Sequence, residues 1–318
     1  MTNLTRSEAA RWLLERDRFC ILTHRRPDGD TLGSAAGLCL ALRSLGKQAH
    51  VLANPEVPPR FAWLLEGLTR EAPAEGDTLV AVDVAAPGML LEGFGNPAGR
   101  VALRIDHHGS ATSFAAMELV DPAAGATAEI IWDLLTLMGV SMDAAMAGAL
   151  YTGTSTDTGC FRFSNTTEHT FLVAAACAGA GAPIFRLNQE LFETNSLARL
   201  RIQGWMVEHV RLLRGGTLAL VAIPKALERE LGATEDDMDN ISGFPRTIAG
   251  VRMAATLRET PSGAKVSVRA VPGCDAAAVC AVFGGGGHKG AAGADISMPL
   301  AEAAAAVEKV MLEQAGQP

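Results

Sequence analysis

Three histidines and five aspartates in this chain have the types and spacing to hold metal ions and to use them. The first group is His24-Arg25-Arg26-Pro27-Asp28-Gly29-Asp30, one imidazole and two carboxylates in a turn shaped by Pro27 and Gly29. Asp83 closes the apolar run Leu79-Val80-Ala81-Val82. Asp106-His107-His108-Gly109 follows Val101-Ala102-Leu103-Arg104-Ile105, and Asp157 stands within Thr154-Ser155-Thr156-Asp157-Thr158-Gly159. Imidazole and carboxylate together suit manganese, iron, cobalt or zinc better than calcium. Two such cations, about 3.5–4 Å apart, would share a bridging carboxylate and a bridging hydroxide, and would neutralise charge on a phosphoryl group. Plainer readings exist for the parts. The first group also fits a polar surface turn, and a lone acid after a strand is commonly a cap. One acid beside two histidines at a strand end is harder to explain by packing.

These residues need a scaffold that brings them together. Leu4 to Glu15 reads as an amphipathic helix and Thr31 to Leu45 as a helix ended by Gly46. Phe19 to Thr23, Gln48 to Leu52, Thr78 to Asp83 and Arg100 to Ile105 read as buried strands. Strands alternating with helices predict an α/β fold with a mostly parallel sheet. Such sheets bind ligands at the carboxyl ends of their strands, where three of the four groups fall. Ala126 to Leu191 reads as largely helical with a polar break over Gly153 to Phe161. Asn195 to Leu213 reads as a helix linking two lobes. Beyond it, Leu218 to Ile223, Ala249 to Leu257 and Lys265 to Val271 read as strands, and Asp275 to Phe283 and Pro299 to Leu312 as helices. The expected division is a metal-binding domain over 1–194 and, over 195–318, the linker helix with a smaller α/β domain of mixed sheet.

That second part carries Phe283-Gly284-Gly285-Gly286-Gly287-His288-Lys289-Gly290. Consecutive glycines let backbone N–H groups approach a phosphate closely. A flexible loop is the plainer reading, and the spacing is not that of a P-loop. Arg269, at the end of Val266-Ser267-Val268-Arg269, has the chemistry for a bidentate phosphate clamp.

Composition limits the partners. The formal net charge is -8 and aromatic residues are only 5%. A duplex-wrapping protein carries a basic face, and a long-strand binder needs stacking platforms. Short anionic substrates are therefore favoured over long polymers. Six cysteines without a C-x-x-C pair point to a reducing compartment. Neither a signal core in Met1 to Arg18 nor a membrane-length apolar run is present, so a cytoplasmic protein off the membrane is expected.

The order His24-x-x-x-Asp28-x-Asp30, Asp83, Asp106-His107-His108, Thr156-Asp157-Thr158-Gly159 resembles the four metal motifs of the DHH phosphoesterase family. The segment Gly284 to His288 with Arg269 is similar to that family's DHH-associated substrate domain. Asn240 to Val251, containing Phe244-Pro245-Arg246-Thr247-Ile248-Ala249-Gly250-Val251, looks like the segment before the second-domain strands in its nanoRNase and phosphoadenosine-phosphate phosphatase group. The resemblance implies two divalent cations, manganese with magnesium or cobalt as alternatives. His24, Asp28 and Asp83 would hold one; Asp30, Asp83, His107 and Asp157 the other. Asp106 would orient His107. His108 would contact the phosphate or protonate the leaving oxygen. Arg269, Gly286, Gly287 and His288 would hold the nucleotide. Implied substrates are short single-stranded RNA or DNA oligonucleotides and nucleoside bisphosphates such as 3′-phosphoadenosine 5′-phosphate, without long duplex. A homodimer is also an expectation. The competing readings are a hydrolase of linear or cyclic dinucleotide signals and a non-catalytic nucleotide- or RNA-binding module. A RecJ-like exonuclease fits a short, acidic, aromatic-poor chain less well, and a family II pyrophosphatase lacks the glycine segment.

Overall fold

The structure is a computed structural model and describes residues 2–91, 100–109, 112–238 and 241–314. It contains two compact units, Met1–Thr194 and Asn195–Pro318. No helix among the described residues is long and apolar enough to cross a membrane.

The first unit is built on seven strands: β1 (Thr2–Asn3), β2 (Arg18–Leu22), β3 (Gln48–Leu52), β4 (Thr69–Arg70), β5 (Thr78–Val82), β6 (Val101–Asp106) and β7 (Met117–Val120). They lie in the order β1-β7-β6-β5-β2-β3-β4, and every pairing is parallel. Phe19–Leu22 of β2 and Leu79–Val82 of β5 are continuous apolar runs because both sheet faces are covered. The helices are α1 (Arg6–Leu14), α2 (Gly29–Ser44), α3 (Thr127–Leu137), α4 (Ala144–Asp157), α5 (Glu168–Gly179) and α6 (Ile184–Asn188). One core cluster joins Phe19, Ile21, Val80 and Ile105 of the sheet to Leu38 of α2, Ile131 of α3 and Leu150 of α4. Because β2 lies between β3 and β5, the chain reverses direction across the sheet there. That reversal opens a crevice at the carboxyl ends of β2 and β5.

Helices α2 and α4 meet at glycines. A Cβ on Gly33 would sit 2.3 Å from the Ala149 carbonyl oxygen and 2.8 Å from the Gly153 nitrogen. A Cβ on Gly153 would lie 2.9 Å from Asp30 Oδ1. The two backbones approach so closely only because neither position has a side chain.

The second unit carries α7 (Leu197–His209), β8 (Arg211–Leu213), β9 (Leu218–Ile223), α8 (Lys225–Glu230), α9 (Glu235–Met238), β10 (Met253–Thr260), β11 (Gly263–Ala270), α10 (Ala276–Ala281), β12 (Gly286–His288), β13 (Ala291–Ile296) and α11 (Leu300–Gln314). Its sheet runs β12-β13-β11-β10-β9-β8 and is mixed: β9 and β10 are parallel, the other pairs antiparallel. The expected α/β class, with a parallel sheet followed by a smaller mixed one, is thus observed.

Several local expectations are corrected. The polar break over Gly153 to Phe161 is helical as far as Asp157. Threonine hydroxyls bond back to the preceding turn, Thr152 Oγ1 to the Gly148 carbonyl at 2.8 Å and Thr156 Oγ1 to the Thr152 carbonyl at 2.8 Å, so the hydroxyl-rich stretch stays helical. The helix expected over Asn195 to Leu213 stops at His209 and gives way to β8. The glycine run is not wholly loop, since Gly286–His288 forms an edge strand on β13.

Candidate metal centre

The carboxyl ends of β2, β5 and β6 and the ends of three helices converge on one point. His24 follows β2. Asp28 is the N-cap of α2, its Oδ1 accepting from the Asp30 and Thr31 amides at 3.1 and 3.0 Å. Asp30, in the first turn, faces the other way and caps α3. Its Oδ2 accepts from the Thr127 amide at 2.7 Å and its Oδ1 from the Ala128 amide at 2.9 Å. Two acids two residues apart thus each hold a helix N-terminus, where partial positive charge favours a carboxylate.

Asp83 follows β5 with a left-handed backbone, φ 57°, a conformation aspartate tolerates better than most residues. Its Oδ2 accepts from Thr31 Oγ1 at 2.6 Å and its Oδ1 from Thr127 Oγ1 at 2.9 Å. Each oxygen also faces a different histidine. His24 Nε2 lies 4.0 Å from Oδ2, and His107 Nε2 lies 3.7 Å from Oδ1. His107 Nε2 is 3.5 Å from Asp157 Oδ2 and 4.0 Å from Asp30 Oδ2. Its Nδ1 lies 3.2 Å from the Ala124 carbonyl, so the N–H sits there and the Nε2 lone pair points at the acids.

Donor atoms fall into compact groups: His24, Asp28 and Asp83; Asp30, His107 and Asp157; and Asp83, His107 and His108, each within 4.8 Å. The third group competes with a closer partner, because His108 Nδ1 sits 2.8 Å from Asp106 Oδ1 and is engaged there.

The carboxylates crowd negative charge into a desolvated site. Burial raises the Asp30 carboxyl well above the usual range, and Asp83, Asp157 and Asp28 raise it further. Burial likewise raises Asp83, with Asp28 adding to it. Burial pushes Asp157 up to about 7, opposed by His107 and reinforced by Asp83. Burial alone would lower His107, but Asp157 and Asp83 outweigh it and its pKa rises. His108 is raised first by its hydrogen bond to Asp106. Crowded, desolvated carboxylates with two imidazole lone pairs among them form a nitrogen and oxygen donor set that fits divalent cations.

One expected role is corrected. Asp106 does not orient His107; it accepts from the His108 amide at 3.1 Å and faces the His108 ring. Asp106 is the last residue of β6, and the first turn after it folds His108 back over the carboxylate, while the His107 ring lies edge-on beside it and bonds to the Ala124 carbonyl instead. Thr31, Thr127 and the Ala124 carbonyl were not singled out from the sequence, since hydroxyls and carbonyls leave no distinctive spacing.

In the second unit Arg269 is half-buried, its Nη1 donating to the Val268 carbonyl at 3.2 Å. Burial lowers its pKa, because a desolvated guanidinium is harder to keep charged. Gly286, Gly287 and His288 are exposed on β12. Gly287 has φ 141°, and a Cβ there would meet the Ala291 carbonyl oxygen at 2.6 Å. Glycine is therefore required for β12 to lie on β13.

The description "DHH family, N-terminal domain" matches residues 18–154, and the DHHA1 domain matches residues 217–314. The bifunctional oligoribonuclease and PAP phosphatase NrnA of Thermus thermophilus is 38% identical over 281 residues, 87% of this chain and 83% of that protein. The protein of the same name from Bacillus subtilis is 28% identical over 296 residues, 92% of this chain and 93% of that one. The crystal structure of an exopolyphosphatase-related protein from Bacteroides fragilis covers 97% of this chain and 96% of its own with a TM-score of 0.84. At 24% identity it speaks for the fold alone. The chain belongs to the DHH family, with a DHHA1 domain as its second part. Within the family it groups with the NrnA-type relatives.

Proposed function

We propose that this chain is a phosphoesterase dependent on two divalent cations, manganese by preference, that hydrolyses short oligoribonucleotides and 3′-phosphoadenosine 5′-phosphate. The relatives named for these two activities support the substrates. The observation that carries the metal chemistry is Asp83, whose two oxygens face two different histidines at 4.0 and 3.7 Å. In this reading His24, Asp28 and Asp83 hold one cation, and Asp30, Asp83, His107 and Asp157 the other.

When bound, the cations supply positive charge that acidifies the attacking water and neutralises the phosphoryl oxygens. The residues of the chain do the rest. The Thr31 and Thr127 hydroxyls fix the Asp83 carboxylate, and the α2 and α3 amides fix Asp28 and Asp30. His108, held at Nδ1 by Asp106, presents Nε2 to the phosphoester and gives its proton to the leaving oxygen. Arg269, Gly286, Gly287 and His288 hold the nucleotide. The planar guanidinium fork of Arg269 suits a phosphate in that role. A homodimer and a reducing cytoplasmic setting belong to the same reading, the latter supported by six free cysteines.

The deciding experiment is a turnover panel of di- to decanucleotides, 3′-phosphoadenosine 5′-phosphate and cyclic dinucleotides, with manganese and with chelator. The reading expects the shortest strands and the bisphosphate to lead. Preference for a cyclic dinucleotide, or for strands tens of nucleotides long, would overturn it. Arg269→Ala and His288→Ala should raise KM by about tenfold while lowering kcat by less than about threefold, because they contribute substrate binding and take no part in bond breaking. A loss confined to kcat would place them in the chemistry instead. Asp106→Asn should lower kcat by about 10–100-fold, the usual cost of losing an orienting partner. It should leave manganese affinity unchanged, since its partner is His108 and not His107; a calorimetric titration reads the difference.

A further inference from the structure

We propose that Arg104 is a positioning residue for the reaction: it fixes the Asp106 carboxylate so that His108 aims Nε2 at the phosphoester. This rests on the role given to His108 above. Arg104 and Asp106 are two residues apart on β6 and share a face of the sheet. Arg104 stands directly opposite Glu118 of β7. The result is a row: Glu118 Oε2 to Arg104 Nη2 at 3.0 Å, Arg104 Nη1 to Asp106 Oδ2 at 3.7 Å, Asp106 Oδ1 to His108 Nδ1 at 2.8 Å. Arg104 is 2% exposed and Asp106 0% exposed, so water does not screen their charges.

Asp106 depends on Arg104 more than Glu118 does, although the shorter contact is to Glu118. The Glu118 carboxylate also accepts from Ser113 Oγ at 2.9 Å and from the Phe114 amide at 3.0 Å. Among the described residues Asp106 Oδ2 has no hydrogen-bond partner, and the guanidinium charge is what holds that oxygen in place. Arg104 Nη1 also donates to the Thr112 carbonyl at 3.3 Å and, more weakly, to the Ala85 carbonyl at 3.5 Å. It thereby ties together the segments that follow His108 and Asp83. The Phe114 ring, 5.4 Å from the guanidinium carbon, keeps its plane fixed. A lysine ammonium lacks the fork to serve Glu118 and Asp106 at once. A cavity of about 250 Å³ borders Arg104, His108, Ser113 and Glu118. A shorter residue at position 104 would let its water reach Asp106, leaving the carboxylate solvated and free to rotate.

The test compares two leaving groups. A dinucleotide expels an alkoxide that must take a proton as the bond to phosphorus breaks; the p-nitrophenyl ester of thymidine 5′-monophosphate expels nitrophenolate, which needs none. Arg104→Gln should lower kcat on the dinucleotide by about 10–100-fold, with KM within about twofold. On the nitrophenyl ester the loss should stay below about threefold. Arg104→Lys should fall between wild type and Arg104→Gln, and it carries the same comparisons if Arg104→Gln does not fold. Manganese affinity should be unchanged in both. Added to His108→Ala, Arg104→Gln should cost nothing further. Equal losses on both substrates, additive losses in the double variant, or weakened manganese binding would each overturn the proposal. If His108→Ala itself shows no dependence on the leaving group, the acid role of His108 falls. The double variant then still decides whether Arg104 acts through it.

Discussion

Asp83→Asn is expected to lower kcat/KM by on the order of 10³-fold or more, about 4 kcal/mol of transition-state stabilisation. The substitution keeps the shape of the side chain and removes its charge. In this site that charge is shared: Oδ2 faces His24 and Oδ1 faces His107, so one change disturbs both proposed cations. An amide nitrogen is a poor cation ligand, and it would point at a histidine lone pair or a threonine hydroxyl. Calorimetry should show manganese binding lost or much weakened. Stability should move the other way. Burial and Asp28 raise the Asp83 carboxyl, so the metal-free fold holds it at a cost. The metal-free variant is therefore expected to melt no lower than the metal-free parent. Full turnover by Asp83→Asn would end the assignment, and a large drop in melting temperature would mean that the carboxylate is chiefly structural.

Gly33→Ala should cost about 3 kcal/mol or more of stability, at the upper end of overpacking, because the obstacle is backbone. The added Cβ would meet the Ala149 carbonyl oxygen at 2.3 Å and the Gly153 nitrogen at 2.8 Å, and neither can rotate aside. Helices α2 and α4 must separate. Asp30 lies at the start of α2 and Asp157 at the end of α4, so the same separation pulls Asp157 from Asp30 and His107. Activity and cation affinity should fall together with stability. Gly148→Ala is the control on α4. Its Cβ would find its nearest neighbour, a Pro183 carbon, at 3.7 Å, an ordinary contact. It should be neutral or stabilising by up to about 1 kcal/mol, the helix preference for alanine. Thermal melts decide it. Equal behaviour of the two variants would remove the close helix contact as the cause.

The inner strands of the first sheet were legible because both faces are buried and their residues are nearly all apolar, as in Phe19–Leu22 and Leu79–Val82. The acids and histidines were legible because charge at the end of such a run has few structural uses. What was not legible depends on distant partners. The two-residue strands Thr2–Asn3 and Thr69–Arg70 are too short to carry a period, and β7 exists through its pairing with β6. Gly286–His288 lacks the side chains that favour strands, and only the close approach of β13 makes it one. The orientation of Asp106 toward His108 was also hidden. Which of two adjacent histidines meets the carboxylate is decided only once the turn after β6 has formed.

Asp28 and Asp30 begin two helices as well as facing the cluster. In a lineage that lost the enzymatic activity, selection for folding would still favour a capping side chain at both positions. His24 and Asp157 carry no such second duty of comparable size, and would drift first. A descendant that keeps the aspartates but varies at 24 and 157 would be a fossil of the catalyst, well folded and inert. Ancestry alone would preserve half of the motif in it. The telling positions for sorting working members from silent ones are therefore the histidine after β2 and the aspartate that ends α4.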